Sequence, residues 1–220
     1  DDDDDATRWI GKTFAGRWLI ERVLGVGGMG CVLLGRAGDG SAVALKVLHP
    51  ELNAHPEVQK RFLREGYIGD TLGGPDPVPG VVRVLGSGEA EGGIAYLAME
   101  VLQGENLFDR MVRAGTMSPA DVLSLAEQVL DTLVVAHARG VVHRDLKPEN
   151  IQLIERSGNL YYPVVLDFGV AKFLDAAEKL TMTGALLGTP AYMSPEQYRG
   201  EPTDSRCDQF SFCAALYEGL

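Results

Sequence analysis

The sequence lacks the features that mark membrane-spanning and secreted proteins. No apolar run approaches the roughly 20 residues that cross a bilayer, and the chain starts with DDDDD instead of a basic segment leading into an apolar one. We therefore expect no membrane span in this segment and no secretory signal peptide. Cysteine is scarce as well. The three cysteines, an odd number without motif spacing, indicate reduced thiols and a cytoplasmic location.

Positive charge is the other shortage. The 20 Lys and Arg residues stand against 31 Asp and Glu residues, so the formal net charge is −11, or −6 when the five N-terminal aspartates are left out. This acidic balance argues against nucleic acid or an anionic membrane as the main partner. Repulsion within the aspartate run predicts that residues 1–13 form a disordered acidic tail.

What remains has a globular composition, with 45% hydrophobic and 23% charged residues in a chain of 220, enough for a packed core. Apolar runs separated by glycine turns predict strands over residues 14–48, and "VVRVLGSG" and "IAYLAMEVL" resume that pattern. Helical patterns dominate after Gly104, so we expect a boundary there between a strand-rich part and a helical part, typical of an α+β fold.

The helix predicted over residues 56–69 has one charged residue on its apolar face. Glu65 shares a face with Val58 and Phe62, so a carboxylate lies on an otherwise apolar stripe and needs a partner. Two glycines in the second half each weaken the helix by up to about 1 kcal/mol relative to Ala. We therefore expect this helix to be loosely held.

The clearest helical pattern covers residues 118–138. Ser118 can cap the helix, and the proline that follows suits the first helical position. Six residues supply its apolar face: Val122, Leu125, Val129, Leu130, Leu133 and Val134.

The stretch "LGVGGMGCV" holds a G-x-G-x-x-G pattern at Gly25, Gly27 and Gly30. Glycines allow a backbone to approach phosphates closely and to point its N–H groups at them. A dinucleotide-binding turn of this pattern leads into a helix, whereas the strand-like "CVLLGRA" follows here. The glycines are therefore predicted to lie in a hairpin, and the pattern on its own identifies no ligand.

The stretch "VALK" places Lys46 in an apolar strand, on the same face as Ala44. A buried ammonium is costly unless it is paired. Two interpretations stay open: Lys46 extends its charge into solvent from an edge strand, or it pairs with Glu65.

The densest group of polar residues is "HRDLKPEN", which lies between two apolar stretches. Asp145 can accept a proton from a hydroxyl, and Lys147 can neutralise charge near the same point. Asn150, together with Asp167 of "VVLDFG", offers the hard oxygen ligands that Mg²⁺ prefers. Phosphoryl transfer to a hydroxyl needs these parts, because its catalysis rests on positioning and charge neutralisation.

Taken together, these motifs resemble those of the eukaryotic-type Ser/Thr protein kinases, and "GTPAYMSPEQ" is typical of the bacterial members. The glycine pattern, "VALK", "HRDLKPEN", "DFG" and this last motif occur in the family's order. The resemblance implies a two-lobed protein-kinase-like α+β fold. Residues 14–103 would form an N-lobe with an antiparallel sheet and one helix, and residues 104–220 an incomplete, mainly helical C-lobe.

The resemblance also implies ATP and Mg²⁺ as cofactors, with Mn²⁺ as an alternative metal. The three glycines would cover the phosphates, and Lys46, held by Glu65, would contact the α- and β-phosphates. Met99 would guard the adenine pocket, and Glu100 to Leu102 would form the hinge that binds the base. Three apolar residues would form the walls of the pocket, although a plain core role is equally open for them: Val32, Ala44 and Leu153.

For catalysis the resemblance implies that Asp145 accepts the proton of the substrate hydroxyl and that Lys147 steadies the γ-phosphoryl group. Asn150 and Asp167 would bind the metal. Asp208 of "CDQFSF" matches the helix aspartate that braces the backbone of the catalytic loop. The partners would be proteins with Ser or Thr acceptors.

Regulation is implied for the segment between "DFG" and "PE". Autophosphorylation of Thr181 or Thr183, by self-association of two copies, would give Arg144 a charge-assisted partner. Thr189 of "GTP" would reach the catalytic residues. The alternative for Thr181 and Thr183 is that they are ordinary hydroxyls of a mobile loop.

Three functions stay open: an active Ser/Thr kinase, an ATP-binding pseudokinase, and a regulatory fragment that is inactive because C-lobe helices are missing. Pseudokinases usually lose the strand lysine, the base or the metal aspartate, and Lys46, Asp145 and Asp167 are all present. This favours the enzyme. The chain ends at "ALYEGL", inside the family's central C-lobe helix, so we expect either a fragment of a longer protein or a shortened fold.

Overall fold

The computed structural model describes residues 6–73, 76–168 and 190–219. Within these residues the chain divides into two compact units. The first runs to Asp70 and resumes over Arg83–Val101, and the second takes in Thr71–Val82 and the chain from Leu102 onward. The sequence-based boundaries therefore need a correction: Thr71–Val82 belongs to the second unit, because its backbone bonds to that unit. Val82 N–H, for example, donates to Val165 O at 3.2 Å.

An antiparallel sheet of six strands forms the first unit, with the order β1-β2-β3-β4-β6-β5. Alternating side chains of the inner strands point to opposite faces, and the residues on one face form the buried core of the unit. The strands are β1 Thr13–Phe14, β2 Trp18–Gly27, β3 Gly30–Ala37, β4 Ala42–Leu48, β5 Val84–Ala90 and β6 Ile94–Met99.

Residues 6–12 are not the free tail that the sequence predicted. Ala6 is buried in the core of the first unit, and the Trp9 ring meets the Phe14 ring edge to face with centroids 5.0 Å apart. Tyr96 extends this aromatic group, 5.5 Å from Phe14 and 5.4 Å from Trp18. The aspartate run itself lies outside the described residues. Repulsion within it does not disorder residues 6–12, because burial of their aromatic side chains offsets the entropy cost of ordering the chain.

The first unit contains two helices where the sequence predicted one: α1 over Pro50–Asn53 and the start of α2 over Pro56–Gly73. The first is a single turn that begins at a proline, whose fixed φ suits a helix start. A helix of four residues is too short to show a 3.6-residue periodicity, so the sequence pattern could not reveal it.

Side-chain amides tie both helices to the turn between β5 and β6. Asn53 donates to Gly93 O at 2.8 Å and accepts from Ala95 N–H at 2.9 Å, and Gln59 donates to the same Gly93 carbonyl at 2.6 Å. Phe62 is fully buried, as predicted. The start of α2 is therefore anchored, whereas the loose packing expected from the glycines in its second half stays a prediction, because the side chain of Glu65 lies outside the described residues.

The second unit combines helices with a small antiparallel sheet of order β7-β8-β9. Its longest helix begins as predicted, because Ser118 Oγ accepts the Asp121 N–H at 3.2 Å. No helix in the described ranges has an apolar stretch long enough to cross a membrane. The elements are β7 Gly104–Asn106, α3 Leu107–Ala114, α4 Pro119–Ala138, β8 Ile151–Arg156, β9 Asn159–Val165, α5 Pro195–Tyr198 and α6 Arg206–Gly219.

Gly30 is required where β3 begins. Its φ is +154°, and a Cβ added there would lie 1.9 Å from Val47 O on the neighbouring strand. We expect Gly30→Ala to lower the free energy of unfolding by about 2–4 kcal/mol, because the backbone of β4 would have to move. Urea denaturation measures this, with Gly38→Ala as the control, since the space around Gly38 is open. Equal stability of the two variants would contradict this strand geometry.

Candidate active site

Cross-strand register gathers the nucleotide residues predicted in the first unit on one face of its sheet. Gly25 pairs with Val32, Val32 with Lys46, and Ala44 with Met99. Directly paired residues point to the same side, and the alternating residues fill the core on the opposite side. Lys46 is only 8% exposed, and β4 lies between β3 and β6. The alternative that Lys46 extends into solvent from an edge strand is therefore wrong.

The glycine pattern lies in a β-hairpin, as predicted, with Gly27 paired to Gly30 where β2 turns into β3. A Cβ added at Gly25 or Gly27 would meet no heavy atom of the described residues within 4 Å, so their backbone leaves room for close approach of a ligand. His49 holds the turn through its ring Nε2, 3.0 Å from Gly27 O, and its backbone N–H, which donates to Met29 O at 3.0 Å. The role of His49 could not be predicted from local sequence, because it lies 22 residues from Gly27.

The predicted hinge follows β6 directly. Met99 is the last residue of that strand. The Glu100 N–H donates to Arg83 O at 3.0 Å, and the Glu100 carboxylate accepts the Arg83 N–H at 2.8 Å. Leu102 and Leu153 belong to the second unit, in which Leu153 is a buried residue of β8. Glu100 is thus fixed at the point where the chain leaves the first unit.

Four predicted site groups lie outside the described part of the structure: the Glu65 side chain, Thr181, Thr183 and Thr189. The Lys46–Glu65 pair therefore stays a prediction. The regulatory roles of the three threonines stay predictions as well.

Asp145, Lys147 and Asn150 come together on the loop before β8. Lys147 Nζ is 3.5 Å from Asp145 Oδ2. Asn150 Nδ2 donates to the Asp145 backbone carbonyl at 2.8 Å and lies 3.3 Å from Asp145 Oδ2. A 3-10 turn over Pro148–Asn150 brings Asn150 back to this position. Both side-chain contacts go to Oδ2, so as far as the described residues are concerned Oδ1 is the carboxylate oxygen left for a substrate hydroxyl.

His143 is fully buried next to this loop. Its Nδ1 accepts the Asp145 N–H at 3.2 Å and its Nε2 donates to Leu166 O at 2.7 Å, which assigns the ring proton to Nε2. The Phe168 ring packs against the imidazole with centroids 4.8 Å apart. His143 therefore positions the backbone of Asp145 and links it to the segment that leads into Asp167.

A buried carboxylate braces the same loop, as predicted. Asp208 is fully buried and accepts the His143 N–H at 2.8 Å and the Arg144 N–H at 2.7 Å. His137 Nε2 lies 2.7 Å from the same carboxylate. Burial, with a smaller contribution from the Asp208 charge, raises the pKa of the Cys207 thiol to about 12. Asp208 thus holds three groups of the second unit: the N–H groups of His143 and Arg144 and the ring of His137.

The two predicted metal ligands are joined through the backbone. The Leu166 N–H donates to Asn150 O at 2.9 Å, one residue before Asp167. Asn150 uses its amide nitrogen on Asp145, so its amide oxygen is the atom that can coordinate a cation. Asp167 has a φ of +58°, a conformation that costs a non-glycine residue about 1 kcal/mol and clusters at functional sites. A carboxylate and an amide oxygen fit Mg²⁺, which prefers hard oxygen donors.

Two contacts of the segment after residue 189 were not predicted from the sequence. Gln197 Nε2 donates to Arg144 O at 2.7 Å, across a separation of 53 residues. The Tyr192 hydroxyl donates to Glu218, and burial, followed by this hydrogen bond, raises the pKa of Tyr192. No local pattern signals either contact, because each joins two elements that are distant in sequence.

The two units have the folds of the two lobes of a protein kinase, which is the class of protein that the fold and the site define. Comparison with models of protein families agrees with this. The model described as protein kinase domain matches residues 18–220, nearly the whole chain. The chain therefore belongs to the protein kinase family.

Curated relatives with similar sequences are bacterial serine/threonine-protein kinases. The chain is 38% identical to pkn3 of Myxococcus xanthus over 218 residues, which covers 97% of this chain and 39% of that protein. It is 41% identical to pkn2 of the same species, with 93% of this chain and 24% of that protein covered. It is also 38% identical to PknA of Mycobacterium tuberculosis, with 96% and 48% covered. The chain thus spans less than half the length of these relatives.

Proposed function

We propose that the protein transfers the γ-phosphoryl group of ATP to Ser and Thr hydroxyls of proteins. The main support is the Asp145 carboxylate, whose Oδ2 lies 3.5 Å from Lys147 Nζ and 3.3 Å from Asn150 Nδ2. A carboxylate held in one orientation, with one oxygen open, is suited to receive a hydroxyl proton. The similarity to serine/threonine-protein kinases of bacteria supports the same reaction.

In the proposed reaction the acceptor hydroxyl donates a hydrogen bond to Asp145 Oδ1. Its oxygen forms a bond to the γ-phosphorus while the bond from that phosphorus to the β,γ-bridging oxygen breaks, and ADP leaves. The hydroxyl proton passes to Asp145. Lys147 neutralises charge on the γ-phosphoryl oxygens, since its ammonium group lies beside the carboxylate.

The first unit would bind the nucleotide. The bare backbone at Gly25 and Gly27 suits the phosphates, and the nearly buried Lys46, with Glu65 as its proposed partner, would contact the α- and β-phosphates. The remaining proposed nucleotide contacts are Gly30, Val32, Ala44, Met99, Glu100, Leu102 and Leu153.

Asn150 and Asp167 would hold Mg²⁺, or Mn²⁺ in its place. The metal ion would neutralise phosphate charge and orient the triphosphate. Two protein ligands suffice for this purpose, because Mg²⁺ commonly keeps waters and takes substrate phosphates as its other ligands. The chain's own contribution is to fix the Asn150 amide through Asp145, so that its oxygen keeps one direction.

Activation would depend on phosphate at Thr181 or Thr183. Arg144 Nε is buried and has no hydrogen-bond partner among the described residues, so a phosphate would supply one. Thr189 would contact the catalytic residues.

We expect incubation with Mg·ATP to phosphorylate one or both of Thr181 and Thr183, through self-association of two copies. Peptide mass spectrometry checks this, and two unmodified threonines would contradict it.

We also propose that the protein acts in the cytoplasm on Ser- and Thr-containing proteins. No disulfide joins Cys31, Cys207 and Cys213, which all lie in the described part of the chain, and this suits a reducing compartment. Fractionation of cells followed by immunoblotting would test this, and recovery of the protein outside the cytoplasm would contradict it.

The function is tested with γ-labelled ATP and a degenerate library of Ser- and Thr-containing peptides, in the presence of Mg²⁺, Mn²⁺ or EDTA. We expect label on the peptides with Mg²⁺ and no label with EDTA. Binding of ATP without transfer of label would favour an ATP-binding pseudokinase instead. Transfer that persists in EDTA would contradict the assignment of Asn150 and Asp167.

A further inference from the structure

The peptide group between Arg144 and Asp145 is hydrogen-bonded at both of its polar atoms. The Arg144 carbonyl accepts from Gln197 Nε2 at 2.7 Å, and the Asp145 N–H donates to His143 Nδ1 at 3.2 Å. Because a peptide group is planar, fixing both ends fixes its orientation. The direction in which the Asp145 side chain leaves the backbone follows from that orientation.

This peptide group needs such restraint. Arg144 has a φ of +69°, a left-handed conformation that costs a non-glycine residue about 1 kcal/mol or more. Asp208 holds the residue from its N–H side at 2.7 Å, and Gln197 holds it from its carbonyl side. Without the second contact, the peptide group could rotate about the Arg144 Cα–C bond, and this rotation would turn Asp145.

Gln197 is itself fixed by the helix on which it lies. Its Oε1 accepts the Ser194 N–H at 3.2 Å, and the Ser194 hydroxyl caps the same turn, which forms a capping box at the start of α5. The carboxamide can have only one orientation, because the Ser194 N–H can only donate and the Arg144 carbonyl can only accept. Both ends of the side-chain amide are therefore in use.

We propose that Gln197 is a positioning residue that holds Asp145 in its catalytic orientation through the Arg144 carbonyl. The kinetic part of this inference rests on the proposed function. Gln197 would couple the segment around α5 to the Asp145 carboxylate, so that the catalytic loop is fully ordered only when α5 is formed. Of the two side chains that complete a capping box at this position, Glu and Gln, only Gln can also donate to the Arg144 carbonyl.

The decisive variant is Gln197→Glu, because glutamate retains the capping contact to Ser194 but places a second oxygen against the Arg144 carbonyl. We expect its kcat for a library-selected acceptor peptide to fall roughly 30-fold, with KM for ATP changed less than about threefold. Gln197→Met, which removes the donor without adding charge, should lie between this variant and the wild type. Gln209→Glu, on the exposed side of α6, is the matched control and should leave kcat unchanged.

Hydrogen exchange of the Asp145 amide supplies a readout that needs no activity. We expect this amide to exchange about tenfold faster in Gln197→Glu than in the wild type or in Gln209→Glu. Unchanged exchange and unchanged kcat would overturn the inference, and so would a kcat loss that only follows the fraction of unfolded protein. A wild-type protein that transfers no phosphate would refute the proposed function. The exchange comparison would then still decide whether Gln197 holds the loop.

Discussion

Asp145→Asn should reduce kcat on the order of 10³-fold while leaving the affinity for Mg·ATP within about twofold. The asparagine side chain has the shape of the aspartate but cannot accept the hydroxyl proton at physiological pH. It also loses the charge that faces Lys147 Nζ at 3.5 Å. Steady-state kinetics with an acceptor peptide measure the first effect, and calorimetric titration with Mg·ATP measures the second.

The matched control is Asp131→Asn, since Asp131 is exposed on α4. It removes the same charge from the second unit and should keep wild-type kcat. An Asp145→Asn variant that retained a fifth or more of wild-type kcat, at equal ATP affinity, would show that another group receives the proton.

Asp208→Ala should lower the free energy of unfolding by about 3–5 kcal/mol, because it leaves the buried His143 N–H and the partly buried Arg144 N–H without their acceptor. It should also lower kcat of the folded protein by at least about tenfold, since both groups belong to the loop that carries Asp145. Denaturant titration and kinetics below the melting temperature separate the two effects.

Asp208→Asn provides the graded comparison. The amide retains one oxygen for one N–H and presents an NH₂ group to the other, so its losses should be smaller than those of the alanine variant. Asp131→Ala controls for removal of a helix aspartate. If Asp208→Ala were destabilised and its folded fraction still turned over at the wild-type rate, Asp208 would support the fold alone.

Period-two alternation predicted the sheet face that carries Lys46 correctly. "VALK" put Ala44 and Lys46 together, and the register of β3, β4 and β6 adds Val32 and Met99 to the same side. The pattern was readable because alternate side chains of a strand point to opposite faces. The partner of Lys46 was less accessible, since it depends on how a separate helix packs.

Local patterns predicted where helices begin and end better than which of their apolar residues are buried. The helix over 118–138 was predicted with its cap, and Val129 and Leu133 are buried as expected, yet Leu130 and Val134 are exposed. The apolar stripe of a sequence shows which residues can be buried, whereas neighbouring elements decide which of them are. In residues 6–12, tertiary contacts override a sequence-based prediction of disorder, because aromatic contacts order a segment that follows a charged run.

The contacts that orient the catalytic loop could not be predicted from local sequence. Resemblance pointed to Asp208, but nothing in the residues around Gln197 indicates a bond to a carbonyl 53 positions away. His137 likewise lies 71 residues from Asp208. Such contacts depend on tertiary packing, and a single hydrogen bond leaves no periodic trace in the sequence.

The most direct test of the account is phosphoamino acid analysis of protein acceptors after incubation with γ-labelled Mg·ATP, with the wild type and Asp145→Asn side by side. The account predicts labelled phosphoserine or phosphothreonine with the wild type and almost none with the variant. Equal labelling by both proteins would contradict it, as would ATP turnover that yields only inorganic phosphate.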